Sequence, residues 1–228
     1  MHTTAIQNAE RFFSSYLIPQ KPNPLVIEIG SQDVNGSLRQ ICPGTARYVG
    51  VDFVSGRGVD VVLPDPYKLP FADGSVDYCL SSSVMEHCEM FWLLFIEILR
   101  VLKPDGLFYM NAPSNGKFHR FPVDCWRFYP ESANALVKWA IRCGYSPAVL
   151  ESYTSRQRID CWNDYVAVFV KDASHAGNYP TRIIHSFTEF TNGLTYGSET
   201  FINQEEDTED LVKVDVIAAI ASGRLSVK

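Results

Sequence analysis

The segment 115–129, Asn-Gly-Lys-Phe-His-Arg-Phe-Pro-Val-Asp-Cys-Trp-Arg-Phe-Tyr, concentrates side chains that act on small polar molecules. His119 and Asp124 can take a proton from an attacking group. Arg120 and Arg127 can hold an anion, because a guanidinium forks to phosphate or carboxylate. Trp126 and Phe128 can stack on a sugar or exclude water. The competing reading is a structural loop in which Arg127 pairs with Asp124 and the aromatic rings pack inward. A second set of residues comes earlier. Gly30 closes one apolar run and Asp52 closes another. Glycine lets a backbone approach a ligand closely. A carboxylate offers only acceptors, which suits the two donor hydroxyls of a ribose.

These groups need elements to position them. Leu25 to Ile29 is short, branched and apolar apart from Glu28, follows Pro22 and Pro24, and stops at Gly30, so it reads as a buried strand. Ser31 to Gly36 is a turn cluster, Ser37 to Cys42 can begin a helix, and Tyr48 to Val51 is a second buried strand. Strand, glycine turn, helix and acid-tipped strand make the nucleotide-binding half of a doubly wound sheet. Too few residues separate Asp52 from the strand Val59 to Leu63 for a full crossover helix. Val76 to Ser81 and Leu107 to Asn111 read as further strands, and Glu89 to Leu102 as a helix apolar nearly all round. The 115–129 segment follows the fifth strand. It should therefore lie over the carboxyl edge of the sheet, where open α/β sheets bind ligands.

The flanks are read the same way. Thr3 to Leu17 is a helix, and Pro19, Pro22 and Pro24 make an extended lead-in. Glu131 to Cys143 is a helix with Gly144 after its end, and Tyr145 to Tyr153 and Tyr165 to Val170 are late strands. Beyond Val170 come turn clusters, an acidic run at 205–210 and a helix from Asp210 to Ala221. The acidic run reads as a solvated face or a helix N-terminus.

Composition excludes several classes. A net charge of −6 argues against a nucleic-acid surface, which needs a basic face. Met1 to Gln7 lacks the basic start and apolar centre of a signal peptide. The longest apolar stretch, Met90 to Leu102, contains Glu97 and Arg100 and is too short to span a bilayer. The six cysteines contain no Cys-x-x-Cys pair, so they read as free thiols of a cytoplasmic protein. Their spacing with the five histidines fits no tetrahedral set, and no metal site is expected.

Taken in order, Glu28-Ile29-Gly30, Asp52, Asp65-Pro66-Tyr67-Lys68-Leu69-Pro70-Phe71, Asp77, Glu86-His87 and Arg100-Val101-Leu102-Lys103-Pro104-Asp105-Gly106 resemble the class I S-adenosylmethionine-dependent methyltransferases. The resemblance covers Pro24 to Val170 and is closest to the small-molecule branch. The His-Arg-Phe-Pro-x-Asp-x-Trp-Arg loop is similar to that of surface-sugar biosynthesis enzymes. The first motif departs from the family pattern. Of its glycines only Gly30 remains, Gln32 and Val34 stand at the next two places, and Gly36 comes late.

The resemblance implies a doubly wound, mostly parallel, seven-stranded Rossmann-like sheet with helices on both faces. Residues 1–24 would lead in, 25–170 would form the domain, and 171–228 would be an extension serving as a lid or an oligomer contact, possible in a homodimer. It implies S-adenosylmethionine as cofactor. Glu28, Gly30, Ser31 and Gln32 would shape its turn, Asp52 and Phe53 would flank the ribose, Asp65, Pro66 and Tyr67 the adenine, and Ser83 the methionine part. His87 would lie near the methyl group. The bland alternatives are a turn acid for Asp52, a paired structural acid for Glu28, an Asp-Pro turn starter for Asp65, core packing for Tyr67 and a helix cap for His87. The expected acceptor is a hydroxyl of a sugar or nucleotide sugar. His119 is the first choice as base, with His87 and Asp124 as rivals, and Arg120, Trp126 and Arg127 would hold the acceptor. An amine or phosphate-like acceptor is the alternative within the same chemistry. A cofactor-binding partner subunit without catalysis is the alternative outside it.

Overall fold

The computed structural model describes residues 2–17, 21–158 and 161–225, so Pro19 of the lead-in lies outside the described residues. One sheet organises the chain. Its strands are β1 (Leu25–Ile29), β2 (Arg47–Asp52), β3 (Val61–Val62), β4 (Val76–Ser82), β5 (Leu102–Pro113), β6 (Ala148–Ser155), β7 (Asp164–Val170) and β8 (Phe190–Thr195). Their spatial order is β3-β2-β1-β4-β5-β7-β6-β8. The five strands from β3 to β5 run parallel, and β7 lies antiparallel to both β5 and β6.

The expected sheet had seven strands, and the described residues form eight. The extra strand, β8, pairs antiparallel with β6 and comes from the tail beyond Val170. Part of that tail is therefore a sheet edge. Lys103-Pro104-Asp105-Gly106, which lies between the expected helix and the expected strand Leu107 to Asn111, is absorbed into the twelve-residue β5, which starts directly after its preceding helix.

Every residue of β1 and of β4 is buried, as central parallel strands covered on both faces require. Two separate apolar cores result, one on each face. On the first, α2 (Phe91–Val101) and α3 (Ser132–Arg142) pack through Leu94, Phe95, Ile98, Ala133 and Leu136 onto Ile27, Phe108 and Phe169. On the second, α1 (Thr3–Tyr16) lays Phe12, Phe13 and Tyr16 across Val26, Tyr78 and Tyr109. Both faces are thus covered, but the crossover helices are few. Between β1 and β2 only a single 3₁₀ turn, Leu38–Gln40, forms where Ser37 to Cys42 reads as the start of a helix. The N-terminal helix therefore covers a face that crossover helices usually fill.

The tail ends in α4 (Glu209–Ala221), which begins at the acidic run and is capped by the Thr208 hydroxyl. No α4 side chain is buried, and Leu211, Val214, Val216 and Ile217 are exposed. Its N-terminus is tied down: Glu209 accepts from the Gln157 backbone N–H at 2.8 Å, and Asp210 accepts from Asn115 Nδ2 at 2.6 Å. The six cysteines are free thiols. Among the described residues no helix is long and apolar enough to cross a membrane.

Candidate active site

The parallel register brings the first two candidate residues to one edge. Ile29 pairs with Val51, so Gly30 emerges beside the tip of β2 and its N–H donates to the Val51 carbonyl at 2.9 Å. Gly30 has φ +72°, a left-handed conformation that glycine adopts without penalty. A β carbon at this position would overlap Val84 Cγ2. Asp52 is buried at the strand tip. One carboxylate oxygen accepts from the Gln32 N–H at 3.2 Å and the other from the Val54 N–H at 3.1 Å. Each oxygen keeps a second lone pair for a hydroxyl donor.

The missing glycines of the first motif have a structural counterpart. Gly50, Gly56 and Gly58 abut Ser31, Gln32 and the Ser31 carbonyl, and none of the three leaves room for a β carbon. The Asp33 N–H donates to the Arg57 carbonyl at 2.8 Å, and Arg57 pairs with Asp33 at 3.1 Å. The 31–33 turn is therefore braced by the loop after β2, and the close approach is carried by Gly50 of β2 and by Gly56 and Gly58 of that loop. Ser31 Oγ is buried in this turn without a hydrogen-bond partner. An orphaned donor beside a glycine bend fits a ligand in the turn.

Glu28 is buried within β1 and accepts from the Tyr48 hydroxyl at 2.7 Å. Burial pushes its carboxyl up to about 7. It acts from behind the turn, as a paired structural acid. Phe53 is half exposed after Asp52. Asp65 and Pro66 are exposed, and Asp65 Oδ1 accepts from the Tyr67 N–H at 2.9 Å, which is the turn-starter geometry. The Tyr67 hydroxyl accepts from the Met90 N–H at 3.2 Å and ties this loop to the start of α2. Ser83, just past β4, has φ +56°, a conformation that a residue with a side chain holds only when its surroundings impose it.

The second half of the site lies past β4 and β5. A 3₁₀ turn, Met85–His87, follows Val84. The 115–129 segment docks on this turn, since the Glu86 carbonyl accepts from the N–H groups of both Cys125 and Trp126. Glu86 is buried, and burial pushes its carboxyl up to about 8. Its Oε2 has no hydrogen-bond partner. His87 donates from Nδ1 to the Val123 carbonyl at 2.5 Å and places Nε2 3.6 Å from Glu86 Oε1. Burial lowers its imidazolium below the usual range. His119 lies edge-on to His87 with ring centroids 4.8 Å apart. Its Nδ1 faces the Lys117 carbonyl at 3.1 Å and Asp124 Oδ2 at 3.3 Å.

The other loop residues divide. Asp124 and Arg127 form a two-pronged ion pair at 2.6 and 3.0 Å, and Asp124 also accepts from the His119 N–H at 2.7 Å. The guanidinium holds the Asp124 carboxyl well below the usual carboxylate range, which leaves it a weak base. Arg127 further donates to the carbonyls of Trp126 and Lys117. This pair is the structural alternative: it shapes the loop. Trp126 donates its indole N–H to the Cys88 carbonyl at 3.0 Å and packs on Phe91 and Trp92 along a groove of about 360 Å³. Phe128 is buried in the core, whereas Arg120 is exposed.

Sequence reasoning missed three neighbours of this cluster. Phe121 is exposed, with its ring 6.0 Å from His87 and 6.1 Å from His119. Trp162 lies 5.0 Å from His119, and Gly116 leaves the room it needs. Asp164, buried at the start of β7, pairs with His2 Nε2 at 2.7 Å. None of the three carried a signal of its own, whereas Glu86, given no role from the sequence, stood in the Glu-His dipeptide. Chain spacing also pointed to no metal ligands, yet the fold gathers Glu86, His87 and His119 so that one ligand atom of each lies within 4.8 Å of the others.

Residues 30–110 match the family described as a methyltransferase domain. A segment of 79 residues, 35% of this chain and 28% of its relative, is 62% identical to an uncharacterized methyltransferase of Mycobacterium avium. Another of 53 residues, 23% of this chain and 21% of its relative, is 58% identical to one of Mycobacterium tuberculosis. The chain thus spans about a quarter of the length of the curated relatives it matches. Among solved structures it resembles the YcgJ protein of Bacillus subtilis at 12% identity and TM-score 0.55, covering 75% of this chain and 99% of that one. It also resembles the 1,6-didemethyltoxoflavin-N1-methyltransferase of Burkholderia thailandensis, solved with S-adenosylhomocysteine, at 16% identity and TM-score 0.54, covering 74% and 78%. Residues 30–110 thus match a methyltransferase domain, and the chain has a Rossmann-like methyltransferase fold.

Proposed function

We propose that this protein transfers a methyl group from S-adenosylmethionine to a hydroxyl of a small polar acceptor, a sugar or nucleotide sugar. One observation carries the reading. The Gly30 bend and the Glu86–His87 turn are held against each other through Val84, so the cofactor's turn and the imidazole pair share one edge of the sheet. Gly30, Ser31, Gln32 and Asp52 would hold the cofactor, with Ser83 toward its methionine part and Phe53, Asp65, Pro66 and Tyr67 toward its base. When bound, the cofactor supplies a methyl group on a sulfonium, whose departure as a thioether drives the transfer.

The chain's own task is then to align the acceptor, exclude water and take up a proton. His119 is the first choice as proton acceptor. Asp124 and the Lys117 carbonyl orient its Nδ1, which leaves Nε2 for the substrate. His87 stands second, because its Nδ1 is committed to the Val123 carbonyl in the same way. Asp124 is spent on Arg127 and acts by positioning. The exposed Arg120 suits the phosphates of a nucleotide sugar, and the exposed Phe121 suits a sugar face. Arg127 and Trp126 support the loop that carries them.

The Burkholderia relative is named for methyl transfer to a ring nitrogen, which keeps an amine acceptor as the second reading. We assign the exposed apolar residues of α4 to contact with a second copy of the chain, and sizing of a chain cut after residue 207 tests that. The function itself is tested in two steps. Calorimetry with S-adenosylmethionine and S-adenosylhomocysteine should show binding. A turnover assay over nucleotide sugars, free sugars and small amines should then find the acceptor, and binding without turnover on any hydroxyl acceptor would reject the hydroxyl reading.

A further inference from the structure

We infer that Glu86, His87 and His119 bind a divalent transition-metal ion, of the zinc kind, with a position left open toward the acceptor. The inference rests on the methyl-transfer reading only for the purpose of the site. The binding is argued from the cluster alone.

The ligand atoms are already assembled. One from each residue lies within 4.8 Å of the other two, and the Glu86–His87 pair stands at 3.6 Å, close to the separation of two ligands on one tetrahedral metal. Two imidazoles and a carboxylate are a donor set that zinc and its neighbours accept, whereas magnesium and calcium prefer oxygen.

The second shell is in place as well. A metal-bound histidine usually donates its other ring N–H to a carbonyl or carboxylate, which fixes the ring and its tautomer. His87 Nδ1 does this to the Val123 carbonyl at 2.5 Å. His119 Nδ1 faces the Lys117 carbonyl and Asp124, and Asp124 is itself anchored by Arg127. Each ring is thereby left with Nε2 as its free donor atom. With the ion bound those atoms would coordinate it, and the ion rather than an imidazole would lower the acceptor hydroxyl's hold on its proton. The imidazole-base role therefore belongs to the metal-free site.

An independent observation points the same way. Glu86 is 1% exposed, and its Oε2 has no hydrogen-bond partner. A buried carboxylate oxygen left unpaired is costly unless a bound group completes it. Phe121 and Trp162 close the apolar side around His119.

The test uses the full chain. Stripped protein is titrated with cobalt(II) and zinc(II), following the cobalt(II) visible absorption and, after dialysis, the metal content by mass spectrometry. S-adenosylhomocysteine is titrated on the same preparation. The expected result is one equivalent bound, with affinity reduced roughly 100-fold or more in His119→Ala and in Glu86→Gln, and less in Asp124→Asn. The Glu86→Gln variant keeps the side-chain shape, so its retained S-adenosylhomocysteine affinity separates loss of a ligand from loss of fold. Failure to bind either metal while the cofactor product binds would overturn the metal site and leave the methyl-transfer reading standing. Equal metal binding by the ligand variants would overturn it too, because the ion would then sit elsewhere.

Discussion

Gly30 and Val84 occupy the same space at the carboxyl edge: the valine Cγ2 stands where a β carbon of residue 30 would be. The bend after β1 and the turn after β4 are therefore one packed unit. Replacing Gly30 by Ala adds a clash to a φ of +72° that favours glycine. We expect Gly30→Ala to lower stability by about 1–3 kcal/mol and to weaken S-adenosylhomocysteine binding. The double variant Gly30→Ala/Val84→Ala should recover part of the stability, leaving only the backbone strain. Additive effects in denaturant unfolding would show that the two residues do not share the space.

Asp52 holds both flanking N–H groups and has lone pairs left for a ligand. Asp52→Asn keeps the size but removes the charge and one acceptor. S-adenosylhomocysteine affinity should fall by about 1.5–3 kcal/mol, the range for hydrogen bonds to a charged group. Calorimetry measures it, with circular dichroism to confirm the fold, and an affinity equal to that of the parent would remove Asp52 from the cofactor site.

His119→Ala should reduce turnover on the identified acceptor by about 10²–10⁴-fold, the usual span for a lost acid–base group. Cofactor affinity should hold, since His119 sits beyond β5 rather than in the Gly30 turn. Single-turnover kinetics would separate the two effects. Full turnover would pass the proton-accepting role to His87.

Glu28 links pH to stability. Its folded carboxyl lies near 7, raised by burial from an ordinary 4.5. Between those values the folded chain keeps a proton that the unfolded chain has released. Its contribution to stability is thus fully present below 4.5 and is lost as pH rises through 7. The slope should reach about 1.4 kcal/mol per pH unit within that window. Glu86, pushed up to about 8, adds a slope of the same sign. Glu28→Gln should therefore remove only the share due to Glu28, and urea melts of parent and variant at several pH values will show whether the slope falls.

Arg127 and Asp124 lock the 115–129 loop. Arg127→Ala leaves a carboxylate with 1% side-chain exposure without its partner, a change that costs about 3–5 kcal/mol when the pair is fully buried and less here, where Arg127 is 22% exposed. The His119 N–H, bonded to Asp124 at 2.7 Å, should then exchange with solvent faster. Hydrogen exchange at that amide reads the effect without an activity assay, and an unchanged exchange rate would show that the pair does not hold the loop.

The local signals in the chain located most elements. Apolar runs punctuated by Gly30 and Asp52 marked strands, and the helix at Phe91–Val101 followed from apolar residues on nearly every side. The eighth strand was not legible. Phe190–Thr195 contains Asn192 and Gly193, and it is a strand only because β6 offers it an open edge. The single turn at Leu38–Gln40 was not legible either, since the helix that fills that face comes from the other end of the domain.

The sequence by itself determined the order of chemistry: a glycine bend, an acid at a strand tip, then a loop of imidazoles and guanidiniums. Those properties are local, because a turn residue and a strand's apolar pattern depend on near neighbours. Only the tertiary structure decided which of those groups work together. It spent Arg127 on Asp124, gave the role of the missing glycines to Gly50, Gly56 and Gly58, and set Glu86 with His87 and His119. Glu86 and His119 are separated by β5, and their meeting depends on how adjacent strands register, which no stretch of the chain encodes alone.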